Sequence, residues 1–195
     1  YTTRAGLRRT VGDGHFSDME VFSFSPTNVM TLGEGGAVTT NDEAIYDRLC
    51  LLRNHGMQRD PEKWVRPCDG KIPPPWYSEM QLLGYNYRQS DIHSALGLSQ
   101  LKKLPDFLDH RRRLAAKYDA LLTGLSPHMR PVKKIENCAA VNLTYPLLID
   151  FEALGEDRDI FINQLAVRNV GAQVYYMPAY SHPFYVGNYG PISRP

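Results

Sequence analysis

The chain has 195 residues, of which 43% are hydrophobic and 22% are charged, and its formal net charge at pH 7 is +1. These proportions are ordinary for a globular protein, and the small net charge gives no reason to expect nucleic acid or an acidic membrane surface as a partner. No apolar run approaches the ~18 residues that a membrane-spanning helix needs, so no membrane partner is expected.

Three cysteines, Cys50, Cys68 and Cys138, are widely spaced along the chain. They lack the spacing of a metal site, and an odd number of cysteines cannot all pair in disulfides. The first residues also lack the character of a signal peptide. These features favour a cytoplasmic location and predict no metal site.

Two strands are predicted in the first part of the chain, over about 20–24 and 36–40, because each carries a short apolar run. Between them lies a turn that contains Gly-Glu-Gly-Gly at 33–36. A glycine-rich turn lets the backbone come close to a ligand or to another segment, which makes this turn a candidate site.

A helix and a long loop are predicted to follow. Apolar residues at helical spacing indicate a helix over about 42–53, with Thr40 and Glu43 as a capping box and Gly56 suited to the turn after its end. Five prolines exclude a long helix from 57–85. We therefore predict an ordered loop there, of a length typical of functional or partner-wrapping loops.

Two consecutive helices are predicted after this loop. Ser90 is a suitable N-cap, and apolar residues share one helical face up to Leu104. Pro105 is expected to break this helix and to begin a second one, which Gly124 ends.

The last part of the chain shows a small α/β pattern. Its apolar runs predict a strand over 141–149, a helix over 158–168 and a strand over 172–176.

Four segments, in order along the chain, resemble the motifs of one protein family. They read Ser-Phe-Ser-Pro-Thr-Asn…Gly-Glu-Gly-Gly over 23–36, Gly-Tyr-Asn-Tyr-Arg-Gln-Ser-Asp-Ile…Ala-Leu-Gly-Leu-Ser-Gln-Leu over 84–101, Arg-Arg-Arg…Ala-Ala-Lys-Tyr over 111–118, and Val-Tyr-Tyr-Met-Pro…His-Pro-Phe-Tyr over 174–185. The family is the DegT/DnrJ/StrS-type sugar aminotransferases, which use pyridoxal phosphate (PLP).

The resemblance implies the α/β fold of the type I PLP-dependent aminotransferases. Residues 1–103 would form the C-terminal part of the PLP-binding large domain, and residues 104–195 an apparently incomplete small C-terminal domain. Members of the family are much longer, and their first half carries most of the cofactor-binding sheet and the Asp that pairs with the pyridine nitrogen. The resemblance therefore implies a chain truncated at both ends.

Three residues fall on cofactor-binding positions of the family. Ser23 matches a residue whose hydroxyl bonds the cofactor phosphate, and Asn86 matches one that reaches the phosphate of the other subunit in a dimer. Asn28 occupies the position of the catalytic lysine that binds PLP covalently. Because an amide nitrogen is neither basic nor nucleophilic, covalent attachment of PLP is not expected.

The resemblance implies an aminotransferase-like protein that moves an amino group from glutamate or glutamine onto a nucleotide-linked keto sugar or a cyclitol. Such reactions belong to polysaccharide or antibiotic biosynthesis. The implied partners are this substrate and either a second copy in a homodimer or a complementary N-terminal fragment.

Two alternatives stay open because of Asn28. The chain could be a catalytically inactive or truncated homologue that acts as a partner subunit. It could also be a relative of the sugar dehydratases that use PLP or its aminated form, pyridoxamine phosphate (PMP), without a lysine. The sequence therefore leaves open whether the chain is itself an enzyme.

Overall fold

The first two strands, β1 (Met19–Ser23) and β2 (Gly36–Thr40), pair antiparallel in this computed structural model, which describes residues 6–66 and 74–192. Both predicted strands are confirmed. Val21 lies directly opposite Val38, and the two side chains are 76% and 41% exposed, so this face of the pair is apolar and uncovered.

The helix α1 (Glu43–Arg53) confirms the next predicted element, but its cap differs from the prediction. The N-cap is Asp42, whose carboxylate accepts a hydrogen bond from the backbone N–H of Ile45 at 2.9 Å. Thr40 instead accepts a bond from the N–H of Asp42 at 3.1 Å. Backbone geometry sets the N-cap position. That position falls on Asp42, directly before the helix, and not on Thr40, which lies three residues before it.

The predicted loop over 57–85 contains short regular elements. Strands β3 (Met57–Gln58) and β4 (Glu79–Met80) pair antiparallel, and Pro61–Lys63 forms one 3₁₀ turn. The indole N–H of Trp64 donates to the carbonyl of Gln58 at 3.2 Å. Residues 67–73 of this segment lie outside the described residues.

A single helix, α2 (Asp91–Leu122), replaces the two predicted ones, so the predicted break at Pro105 is wrong. A proline removes one N–H donor and strains one turn, whereas a helix of 32 residues keeps its other hydrogen bonds. The hydroxyl of Ser90 accepts from the N–H of His93 at 3.3 Å, as expected of a cap. A 3₁₀ turn, Thr123–Leu125, follows α2.

The remaining elements are short. Strands β5 (Met129–Pro131) and β6 (Leu147–Ile149) pair antiparallel, and three helices follow: α3 (Phe151–Leu154), α4 (Arg158–Val167) and α5 (Pro183–Tyr189). The predicted helix over 158–168 is confirmed. Only the end of the predicted strand 141–149 forms, and 172–176 is not a strand.

The contacts between residues divide the chain into two units. The first contains the described residues up to Arg112 together with Ile135–Leu143, and the second contains Arg113–Lys134 and the described residues from Thr144 onward. The domain boundary after residue 103 stays a prediction.

Little of the apolar surface is buried within this chain. Among the described residues, Leu32 and Ala115 are the buried hydrophobic side chains, at 7% and 5% exposure. The described helices include none that is both long and apolar enough to cross a bilayer.

Candidate functional site

The candidate site is the loop between β1 and β2, which is closed at its neck by backbone hydrogen bonds. The N–H of Phe24 donates to the carbonyl of Gly35 at 2.9 Å, and the N–H of Leu32 donates to the carbonyl of Phe24 at 3.0 Å. The hydroxyl of Thr31 also donates to Phe24, at 3.1 Å, and accepts from the N–H of Gly33 at 2.9 Å. The loop is therefore an ordered structure with a fixed neck.

Asn28 lies at the start of this loop and contacts Ser23 directly. Its side-chain nitrogen Nδ2 donates to the backbone carbonyl of Ser23 at 2.9 Å, to the Ser23 hydroxyl at 2.8 Å and to the Ser25 hydroxyl at 3.3 Å. Its backbone N–H donates to the carbonyl of Ser25 at 3.1 Å. Two of the three predicted site residues are thus joined by hydrogen bonds.

Hydroxyl groups surround the Asn28 amide. The Ser25 hydroxyl lies 3.3 Å from that of Thr27, and the Ser23 hydroxyl accepts from the N–H of Ser25 at 3.4 Å. Both bonds to the Ser23 oxygen use it as an acceptor, so its own proton is free to donate to a bound anion. Ser23 is exposed and Asn28 is partly exposed, which leaves the pair accessible.

The first turns of α2 hold the other half of the loop. A Cβ on Gly97 would come within 2.8 Å of the Leu32 side chain, and one on Gly33 would lie 3.6 Å from the His93 ring. The side chain of Gln89 donates to the carbonyl of Glu34 at 3.4 Å. Sequence reasoning did not assign this role to α2, although a glycine in the middle of a helix, such as Gly97, is a signal of close packing.

Asn86, the third predicted site residue, lies on a segment that runs beside the end of α1. The N–H of His55 donates to the carbonyl of Tyr85 at 2.9 Å, and the N–H of Tyr85 donates to Leu52 at 3.1 Å. The exposed Asn86 side chain accepts from the N–H of Arg88 at 3.3 Å. Within the described residues Asn86 makes no hydrogen bond to Ser23 or Asn28, so the structure brings together only two of the three predicted site residues.

A separate cavity of about 990 Å³ lies in the first unit, between α1 and the 57–63 segment. Its charged lining residues include Asp47, Arg53, Arg59 and Lys63. Lys63 donates to both carboxylate oxygens of Asp47, at 2.8 and 2.7 Å, and this bond raises the pKa of Lys63. In the part of the chain that the structure describes, no group of His, Cys, Asp and Glu side chains is arranged to hold a metal ion.

The chain is similar to known proteins of one family. Residues 3–193 match the DegT/DnrJ/EryC1/StrS aminotransferase family. The UDP-4-amino-4,6-dideoxy-N-acetyl-beta-L-altrosamine transaminase of Campylobacter jejuni is 34% identical over 172 residues, which are 88% of this chain and 42% of the relative.

Solved structures show the same fold. Helicobacter pylori PseC, an aminotransferase involved in the biosynthesis of pseudoaminic acid, superposes with a TM-score of 0.77 at 31% identity and covers 94% of this chain and 45% of its own. The putative sugar aminotransferase Spr1654 of Streptococcus pneumoniae is known in a PLP form and a PMP form. These have TM-scores of 0.72 and 0.73 at 23% and 24% identity, and each aligns with 90% of this chain and with 42% or 43% of its own. The chain spans less than half the length of these relatives, and it has the fold of the corresponding part of the PLP-dependent sugar aminotransferases.

Proposed function

Because the chain belongs to the DegT/DnrJ/EryC1/StrS aminotransferase family, we propose that it is part of a sugar-aminotransferase-type protein and binds a pyridoxal cofactor without a covalent bond. The observation that carries this proposal is the hydrogen-bonded pair of Ser23 and Asn28 in the loop after β1. By the resemblance of residues 23–36 to the family motif, Ser23 corresponds to its phosphate-binding hydroxyl and Asn28 to its lysine.

The side chains present fit the phosphate end of the cofactor. The proton of the exposed Ser23 hydroxyl is free to donate to a phosphate oxygen. Asn86 would donate to the phosphate held by a neighbouring subunit, since its amide nitrogen has no partner among the described residues and its side chain is exposed. When bound, the cofactor supplies an electron sink for the bonds around the amino-bearing carbon.

The side chains present do not fit a covalent link. The amide nitrogen of Asn28 shares its lone pair with the carbonyl group and is already engaged with three oxygens. Asn28 therefore orients a ligand by hydrogen bonding and moves no proton.

We assign a nucleotide-linked sugar as the substrate class, because the C. jejuni relative is named as a transaminase of a UDP-linked sugar. Glutamate or glutamine as amino donor, a homodimer or a complementary N-terminal fragment as partner, and a cytoplasmic location belong to the same proposal. The uncovered apolar face of β1 and β2, which includes Val21 and Val38, supports association with another chain.

A second candidate function is that of a non-catalytic partner subunit. Asn28 favours it, because no basic side chain stands at the position where the family needs one to exchange protons. A partner subunit of this kind would bind the cofactor at the same site as in the first candidate, but it would not turn over substrate.

Reductive trapping can test whether residue 28 lies at the position of the lysine that binds PLP in the family. The chain is incubated with PLP, reduced with borohydride and digested, and the peptides that carry a pyridoxyl group are mapped by mass spectrometry. The native chain should show no stoichiometric adduct on any single lysine, whereas Asn28→Lys should gain one at residue 28.

Asn41→Lys is the matched control, because Asn41 also donates from its amide to a backbone carbonyl, that of Asp13 at 3.1 Å, but lies outside the loop. It should gain no adduct. A stoichiometric adduct on a lysine of the native chain, or none at residue 28 in the Asn28→Lys variant, would overturn the assignment.

A further inference from the structure

We propose that Asn28 makes the cofactor site selective for the aminated cofactor, PMP, over the aldehyde, PLP. The inference rests on the proposed function and adds to it the form of the cofactor that the native chain retains. It follows from the orientation in which the loop holds the Asn28 amide.

The orientation of that amide is set by the backbone carbonyl of Ser23. A carbonyl oxygen only accepts hydrogen bonds, and it lies 2.9 Å from Nδ2 of Asn28, so the nitrogen side of the amide must face Ser23. The hydroxyls of Ser23 and Ser25 lie 2.8 and 3.3 Å from the same nitrogen. A flipped amide would place two carbonyl oxygens against each other, which is unfavourable.

The oxygen side of the Asn28 amide is consequently the free side. Among the residues that the structure describes, none donates a hydrogen bond to Oδ1, whereas three oxygens surround Nδ2. An amide oxygen accepts and does not donate, so its ligand partner must carry a donor. Asn28 therefore presents an acceptor from the residue position at which the family carries its lysine.

The two forms of the cofactor differ in the group that would meet this acceptor. PMP carries an ammonium group, which donates charge-assisted hydrogen bonds. PLP carries an aldehyde oxygen, which only accepts and would be opposed by Oδ1. A hydrogen bond of a charged group to Oδ1 should favour PMP by about tenfold or more.

The selectivity can be measured by equilibrium dialysis of the full chain against three ligands that share the ring and the phosphate. They are PMP, PLP and 4′-deoxypyridoxine 5′-phosphate, in which a methyl group replaces the amine or aldehyde. We expect PMP to bind about tenfold more tightly than the deoxy compound, and PLP no more tightly than it.

Two variants separate the role of the acceptor from a general effect on the loop. Asn28→Ala should abolish the preference, so that PMP and the deoxy compound bind this variant with about equal affinity. Asn41→Ala, which removes an amide outside the loop, should behave like the native chain. Circular dichroism reports whether each variant is folded, and the ligand ranking of the native chain remains decisive if Asn28→Ala does not fold.

The possible results of the binding experiment test the inference and the proposed function separately. Equal affinity of the native chain for all three ligands, or tighter binding of PLP, overturns the inference and leaves the proposed function intact. Binding of none of the three overturns the proposed function itself. A PMP preference that survives in Asn28→Ala shows that another residue provides the selectivity.

Discussion

Gly56 is the position at which a single methyl group should disturb the fold most clearly. Its φ of +69° lies in the left-handed region, where L-residues are strained. A Cβ on Gly56 would lie 2.7 Å from the carbonyl carbon of Leu82 and closer still to its oxygen. Because this neighbour is backbone, no rotamer change can relieve the clash.

The clash would separate the segment around Leu82 from the end of α1. The backbone bonds that join these parts include Gln81 N–H to Gly56 at 2.9 Å, His55 N–H to Tyr85 at 2.9 Å and Tyr85 N–H to Leu52 at 3.1 Å. Their loss, together with the left-handed strain, should lower the free energy of unfolding by about 3–5 kcal/mol in Gly56→Ala. Asn86 follows directly on this segment and would lose its position as well.

Denaturant unfolding followed by tryptophan fluorescence can check this magnitude, because both tryptophans, Trp64 and Trp76, lie in the 57–85 segment. Gly33→Ala is the matched control in the same unit. Its φ is +82°, but its Cβ would meet only the His93 ring at an ordinary 3.6 Å. It should cost about 1–2 kcal/mol. Equal losses for the two variants would refute the reasoning from the backbone clash.

Four further outcomes are expected. In Pro105→Ala the free energy of unfolding should rise by up to about 3 kcal/mol, because an interior turn of α2 regains a donor; an unchanged or lower value in urea unfolding would contradict this. The bond from Lys134, ahead of that from Tyr145, lowers the pKa of Asp119, so its stabilisation is present at neutral pH and is lost as the pH falls through that lowered pKa. Asp119→Asn should therefore be less stable than the native chain at pH 7 in thermal melts, and a difference that persists in strong acid would argue against the pair. Burial, ahead of the bond to Asp119, raises the pKa of Tyr145 to about 12, so its contribution should disappear between pH 10 and 12. Light scattering over a tenfold dilution should show a particle larger than one chain, because much apolar surface is exposed; a monomeric particle with cooperative unfolding at every concentration would be inconsistent with that expectation.

Local patterns in the sequence correctly predicted those elements that are formed by short runs of neighbouring residues. The strands around Val21 and Val38, the helix after Asp42 and the helix over 158–168 form close to their predicted bounds. Asn169 follows the last of these helices in a left-handed conformation, with a φ of +58°. The family motifs were equally readable, since they are short runs of neighbouring residues.

Predictions failed where an isolated residue was weighed without its surroundings. Pro105 is a helix breaker by its own chemistry, but the turns on both sides of it hold α2 together. The pairing of β5 with β6 joins residues that lie 16 to 20 positions apart, and so it was not visible in either short run.

The sequence by itself determined which chemistry is absent from the candidate site, because Asn28 carries no basic amine whatever its conformation. The tertiary structure decided which chemistry Asn28 offers instead. The Ser23 carbonyl turns the amide nitrogen inward, and the packing of Leu32 against Gly97 holds the other half of the loop on α2. These contacts join residues up to 65 positions apart. A hydrogen-bond direction depends on atoms that only the folded chain brings together, and for that reason no local pattern could have supplied it.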